Sequence, residues 1–84
     1  MSTLFGSIKG NTITATNSLT IADGWKVLSV SASGGTATLT DEDGLLNYTV
    51  RDGASVNIRY DEITFKAITI TAGSGCTVDY LYIN

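Results

Sequence analysis

The side chains with chemical potential in this chain are one cysteine, Cys76, and eight carboxylates: Asp23, Asp41, Glu42, Asp43, Asp52, Asp61, Glu62 and Asp79. There is no histidine. Ser-His-Asp and Cys-His arrangements are therefore excluded, and general acid–base work falls to carboxylates, lysine or tyrosine. Cys76 follows the turn-forming Gly73-Ser74-Gly75 and opens an apolar run, with no base nearby in sequence to activate it. It reads as a small packed hydrophobe rather than a nucleophile. As the single cysteine it cannot close an intrachain disulfide.

Paired carboxylates flanking a cleft are the requirement for glycoside hydrolysis. Here all but Asp79 fall in turn-like clusters, and one small domain rarely offers a cleft several sugar rings long. No catalytic residues are expected. Without histidine, a metal would depend on carboxylates and backbone oxygens, which suit calcium or magnesium better than zinc. The cluster Asp41-Glu42-Asp43-Gly44 begins like a calcium loop. Counting from Asp41, the twelfth position is Asp52, but the fifth is Leu45 and the glycine arrives two residues early. The cluster reads as a solvated hairpin tip; neither a metal nor a cofactor is expected.

These groups sit on a chain of 84 residues, enough for one hydrophobic core. A domain of this size leaves much of its surface wet, so a neighbouring subunit is the natural supplement to its stability. The net charge is −3, and Lys9, Lys26, Arg51, Arg59 and Lys66 are scattered; a nucleic-acid partner is not expected. The opening Met1-Ser2-Thr3-Leu4-Phe5 shows no basic leader followed by an apolar stretch, so no secretory signal is expected. No run approaches the roughly 20 apolar residues of a membrane helix, and a membrane partner is not expected.

Short runs of β-branched and aromatic residues alternate with Gly-containing polar clusters. The runs are 12–16, 18–21, 25–33, 36–40, 46–50, 55–59, 63–71 and 76–83. Between them lie Asp23-Gly24, Gly34-Gly35, Asp52-Gly53 and Gly73-Ser74-Gly75, which favour tight turns. No window repeats apolar residues at helical spacing. The spacing predicts an all-β domain, a small antiparallel β-sandwich of jelly-roll or Ig-like type with seven to eight short strands. It spans 12–84 and is preceded over 1–11 by an arm or first edge strand. Leu28, Val30 and Ala32 share one face, opposed by Ser29, Ser31 and Ser33. Tyr48, Val50, Val56 and Ile58 supply further inward positions. Over 63–71 the apolar phase slips from Ile63 and Phe65 to Ile68 and Ile70, which predicts a bulge or bend near Lys66-Ala67.

The last run breaks the alternation. Cys76, Val78, Tyr80 and Tyr82 share one face while Leu81 and Ile83 occupy the other. A strand apolar on both faces is either central and covered twice, or presents one face to a partner. The candidate interface comprises Tyr80, Leu81, Tyr82 and Ile83, joined by the N-terminal Leu4, Phe5 and Ile8. Trp25, Tyr48, Tyr60, Tyr80 and Tyr82 would stack on a sugar face if exposed, which makes a glycan the alternative ligand.

The segments Trp25-Lys26-Val27-Leu28-Ser29-Val30, Gly34-Gly35-Thr36-Ala37-Thr38-Leu39-Thr40, Asp52-Gly53-Ala54-Ser55-Val56-Asn57-Ile58 and Phe65-Lys66-Ala67-Ile68-Thr69-Ile70-Thr71-Ala72-Gly73-Ser74-Gly75 follow one another in a familiar order. Over about two-thirds of its length the chain resembles small β-rich virion proteins of tailed bacteriophages, of the capsid-decoration, head-fibre and tail-spike-base kinds. Thr-rich Ig-like and carbohydrate-binding modules share much of this pattern. The resemblance implies a non-enzymatic structural subunit, made in a host cytoplasm and carried in the virion. It further implies a homo-oligomer, most often a trimer, that attaches to other virion proteins and carries no cofactor.

Overall fold

The computed structural model describes residues 8–59 and 62–84. Eight strands follow in order: β1 (Ile8–Thr14), β2 (Ser18–Ile21), β3 (Val27–Ser33), β4 (Ala37–Asp41), β5 (Asn47–Val50), β6 (Ser55–Arg59), β7 (Ile68–Ala72) and β8 (Thr77–Ile83). They form two four-stranded sheets, β1-β8-β3-β6 and β2-β7-β4-β5, with antiparallel pairing throughout. Among consecutive strands only β4 and β5 share a sheet. Every other connection crosses from one sheet to the other. An Ig domain instead keeps its first two strands in one sheet. Eight strands wound alternately between two sheets make a jelly roll, which settles the choice the sequence left open.

The core lies between the sheets. Leu28, Val30 and Ala32 of β3 alternate inward, as the period-two pattern requires. They meet Ala37 and Leu39 of β4, Ile68, Ile70 and Ala72 of β7, and Val78 of β8. All are buried, and among the described residues no polar or charged one is. The outer face of the second sheet is nearly all hydroxyl. Ser18, Thr71, Thr38 and Thr49 make one rung, and Thr20, Thr69, Thr40 and Asn47 the next. Thr20 and Thr69 hydrogen-bond across theirs at 2.9 Å, a cross-strand pair of modest stabilising value.

Two expected boundaries move. The first strand begins at Ile8 rather than at residue 12, and its Ile8–Asn11 half is an edge strand paired with β8. The polar Lys9, Gly10 and Asn11 conceal it in the sequence. Residues 1–7, with Leu4 and Phe5, lie outside the described residues. The run 63–71 also divides. β7 starts at Ile68, and the preceding stretch forms no strand, pairing through an isolated Trp25–Phe65 bridge. Asp23 holds the break: its Oδ1 accepts the Ala67 amide at 2.6 Å. Asp23→Ala is therefore expected to cost about 1–2 kcal/mol in chemical denaturation, the magnitude for leaving a charged acceptor's donor unpaired at a partly wet site.

At the end where β3 turns into β4, two loops interlock. A Cβ built on Gly34 would stand 2.6 Å from the Gly75 carbonyl oxygen, and one on Gly35 2.6 Å from that of Ser74. Cys76 lies beneath them, buried. Its thiol donates to the Thr77 carbonyl at 3.7 Å, the packed role expected from its sequence context.

Candidate functional site

The register separates the residues of the candidate interface. On the outer face of the first sheet, Ile8, Ile83, Val27 and Arg59 stand level across β1, β8, β3 and β6. The next level is Gly10, Leu81, Ser29 and Asn57. Ile8 is 70% exposed and Leu81 45%, and Val27 and Ile83 are partly covered. Together they form an apolar patch at one end of this face. Gly10 has a specific role there, since a Cβ at that position would stand 3.1 Å from Leu81 Cδ1 and 2.7 Å from the Tyr80 carbonyl oxygen. Its missing side chain is what lets Leu81 sit close over β1. Around Leu81 the face becomes polar: Ser29 donates to Asn57 at 2.8 Å on its own level, and Thr12 to Asp79 at 2.7 Å on the next.

Tyr80 and Tyr82 lie on the opposite, inner face of β8, packed against the core. Their rings are 6.3 Å apart and nearly parallel. The structure thus brings Ile8, Leu81 and Ile83 together, adds Val27 to them, and places the two tyrosines behind the sheet. Val27 was legible only as the first residue of an alternating run, because its neighbour across β8 is 56 positions away in the chain.

At the same end of the sandwich, a cavity of about 260 Å³ is lined by Trp25, Asp41, Leu46, Ile58, Phe65, Lys66 and Ile68. Trp25 is 3% exposed. Its ring stacks on Phe65 at 4.6 Å, and its Nε1 donates to the Lys66 carbonyl at 2.8 Å. No face of this indole is presented to a sugar. Asp41 is the one carboxylate in the lining, and it accepts the Leu46 amide at 3.0 Å to hold the β4–β5 hairpin. Asp43 pairs with Lys66 Nζ at 3.0 Å, which raises the lysine's pKa above its ordinary value. A lysine so raised stabilises the fold while it is protonated, and the contribution is lost as pH rises through its folded value. The pair is exposed, so its worth is small. Asp52 accepts the Gly34 amide at 2.9 Å. Asp23, Asp41 and Asp52 each serve a loop amide, and among the described residues no group of three His, Cys, Asp or Glu side chains is placed to hold a metal.

Fold and surface define a jelly-roll sandwich with an apolar patch on the outer face of one sheet. No family model, curated protein or solved structure matches the chain.

Proposed function

We propose that this chain is a non-enzymatic virion structural protein of the decoration or fibre kind, which meets other virion proteins through Ile8, Val27, Leu81 and Ile83. The observation that carries the reading is this patch, gathered on a sheet face that is otherwise polar, with Ser, Thr, Asn57, Asp79 and Arg59 around it. Grouped apolar side chains on a small domain mark a contact surface, and the rows of Ser and Thr around them keep the unassembled subunit in solution. The resemblance of the sequence to tailed-phage virion proteins supplies the kind of partner. The carboxylates support the non-enzymatic part, since Asp23, Asp41 and Asp52 are committed to loop amides and Asp43 to Lys66.

The test is incorporation into particles. Phage particles assembled with Leu81→Asp in place of the natural chain are expected to lose the protein during purification, while the isolated variant keeps its wild-type melting temperature because Leu81 lies outside the core. Full retention of the variant would overturn the assignment of this patch.

A further inference from the structure

We infer that the open side of the sandwich at β5 and β6 is the surface by which two copies of this chain pair, each sheet continuing edge to edge into that of its partner. β5 is bonded to β4 alone and β6 to β3 alone, so each ends its sheet. An edge strand presents unpaired amides and carbonyls, and proteins that stay single guard such edges with charges pointing inward, with proline or with bulges.

The two sides of this sandwich are treated differently. On the β1 and β2 side the inward positions of β1 opposite Tyr82 and Tyr80 are Lys9 and Asn11, both exposed, so a charge and an amide guard that edge, while β2 turns Leu19 and Ile21 inward, Ile21 buried and Leu19 partly so. On the β5 and β6 side the inward positions are Tyr48, Val50, Val56 and Ile58, with no charge among them, and of these Val50 is buried. Tyr48 stands opposite the buried Leu39 yet is 50% exposed. Val56 and Ile58 are only partly covered, and Leu45 at the adjoining turn is 87% exposed. The apolar strip runs on into the cavity through Leu46 and Ile58.

A second copy fits this surface better than a single peptide strand. An extended peptide would complete one sheet edge and leave the other bare. Another sandwich presents two edges about 10 Å apart with an apolar seam between them. Charge fixes the orientation. β5 is entered from Asp41-Glu42-Asp43 and left through Arg51, and β6 is entered from Asp52 and ends at Arg59. β5 thus runs from acidic to basic, whereas Arg59 is followed in the chain by Asp61-Glu62. A two-fold axis normal to the sheets pairs each strand antiparallel with its own copy, laying Arg51 of one copy beside Asp41-Glu42-Asp43 of the other; such an interface is isologous and closed. It gives a dimer rather than the trimer implied by the resemblance, and it leaves Leu81 and Ile83 free for another protein. Strands of four and five residues bury a small area, which places the pair among weak, transient contacts.

Sedimentation equilibrium of the full chain over two decades of concentration tests this, independently of the virion reading. Monomer and dimer are expected for the wild type and for Leu81→Asp, and Tyr48→Lys is expected to weaken the dimer about tenfold or more. Hydrogen exchange on the wild type, which needs no variant, is expected to show β5 and β6 amides slowing as concentration rises while β1 amides do not. A wild type that stays monomeric at the highest concentration, or a dimer broken by Leu81→Asp and untouched by Tyr48→Lys, would overturn the inference, as would exchange in β5 and β6 that ignores concentration.

Discussion

Trp25→Ala is expected to lower the unfolding free energy by about 3–5 kcal/mol, the usual cost of deleting a fully buried large aromatic. A domain of this length holds roughly 4–13 kcal/mol in total, so the variant gives up a large share of its stability and should melt well below the wild type. Three losses act together. The indole is buried against the core, its face is stacked on Phe65, and its Nε1 hydrogen bond to the Lys66 carbonyl orders the loop that leads into β7. Trp25→Phe should be milder, since it keeps much of the packing and gives up the hydrogen bond, worth about 0.5–1.5 kcal/mol. Thermal melts followed by circular dichroism measure both. A Trp25→Ala protein that melts like the wild type would mean that this residue is kept for a ligand, as the glycan alternative requires.

The second large effect lies at the other end of the molecule. Gly34 has φ +84° and faces the Gly75 carbonyl oxygen with no room for a Cβ. Gly34→Val brings a left-handed backbone penalty of about 1–2 kcal/mol and an overpacking cost of about 1–3 kcal/mol, for an expected loss of about 2–5 kcal/mol. At Gly24, where φ is +102° and nothing stands within 4 Å, the same substitution meets the backbone penalty alone. The difference between the two variants in urea denaturation therefore isolates the close crossing of the loops. Equal losses at Gly34 and Gly24 would show that the crossing contributes nothing.

These two sites also mark what was legible in the sequence. Gly34-Gly35 announced a turn because a tight turn needs positive φ, but that the turn presses against Gly73-Ser74-Gly75 depends on two strands meeting far from each other in the chain. β3 was readable to within two residues from its alternation, since burial on one face imposes period two. The start of β1 was legible only as one of two readings of residues 1–11, arm or edge strand, because Lys9, Gly10 and Asn11 have little apolar content to choose between them. The two apolar faces of β8 were visible, as was the choice they posed. In the fold β8 is central in its sheet, with its tyrosines toward the core and Leu81 half-exposed on the outer face. Tyr48 shows the limit most clearly. Its inward phase was readable, but its half-exposed state follows from β5 being the last strand of its sheet, and strand order is a long-range property that local pattern does not encode.

The break before β7 has the same origin. The slip of phase near Lys66-Ala67 was visible as a slip. Its cause, Phe65 turning to stack on Trp25 while Asp23 holds the Ala67 amide, joins residues about 40 positions apart.

The central claim, that this domain is a structural subunit of a virion, is tested most directly by quantitative mass spectrometry of purified phage particles assembled in cells that make the chain. The account predicts the protein in the particles at a fixed ratio to the major capsid or tail protein, unchanged through successive rounds of purification. Its absence, or a ratio that falls toward zero as purification proceeds, would contradict the claim.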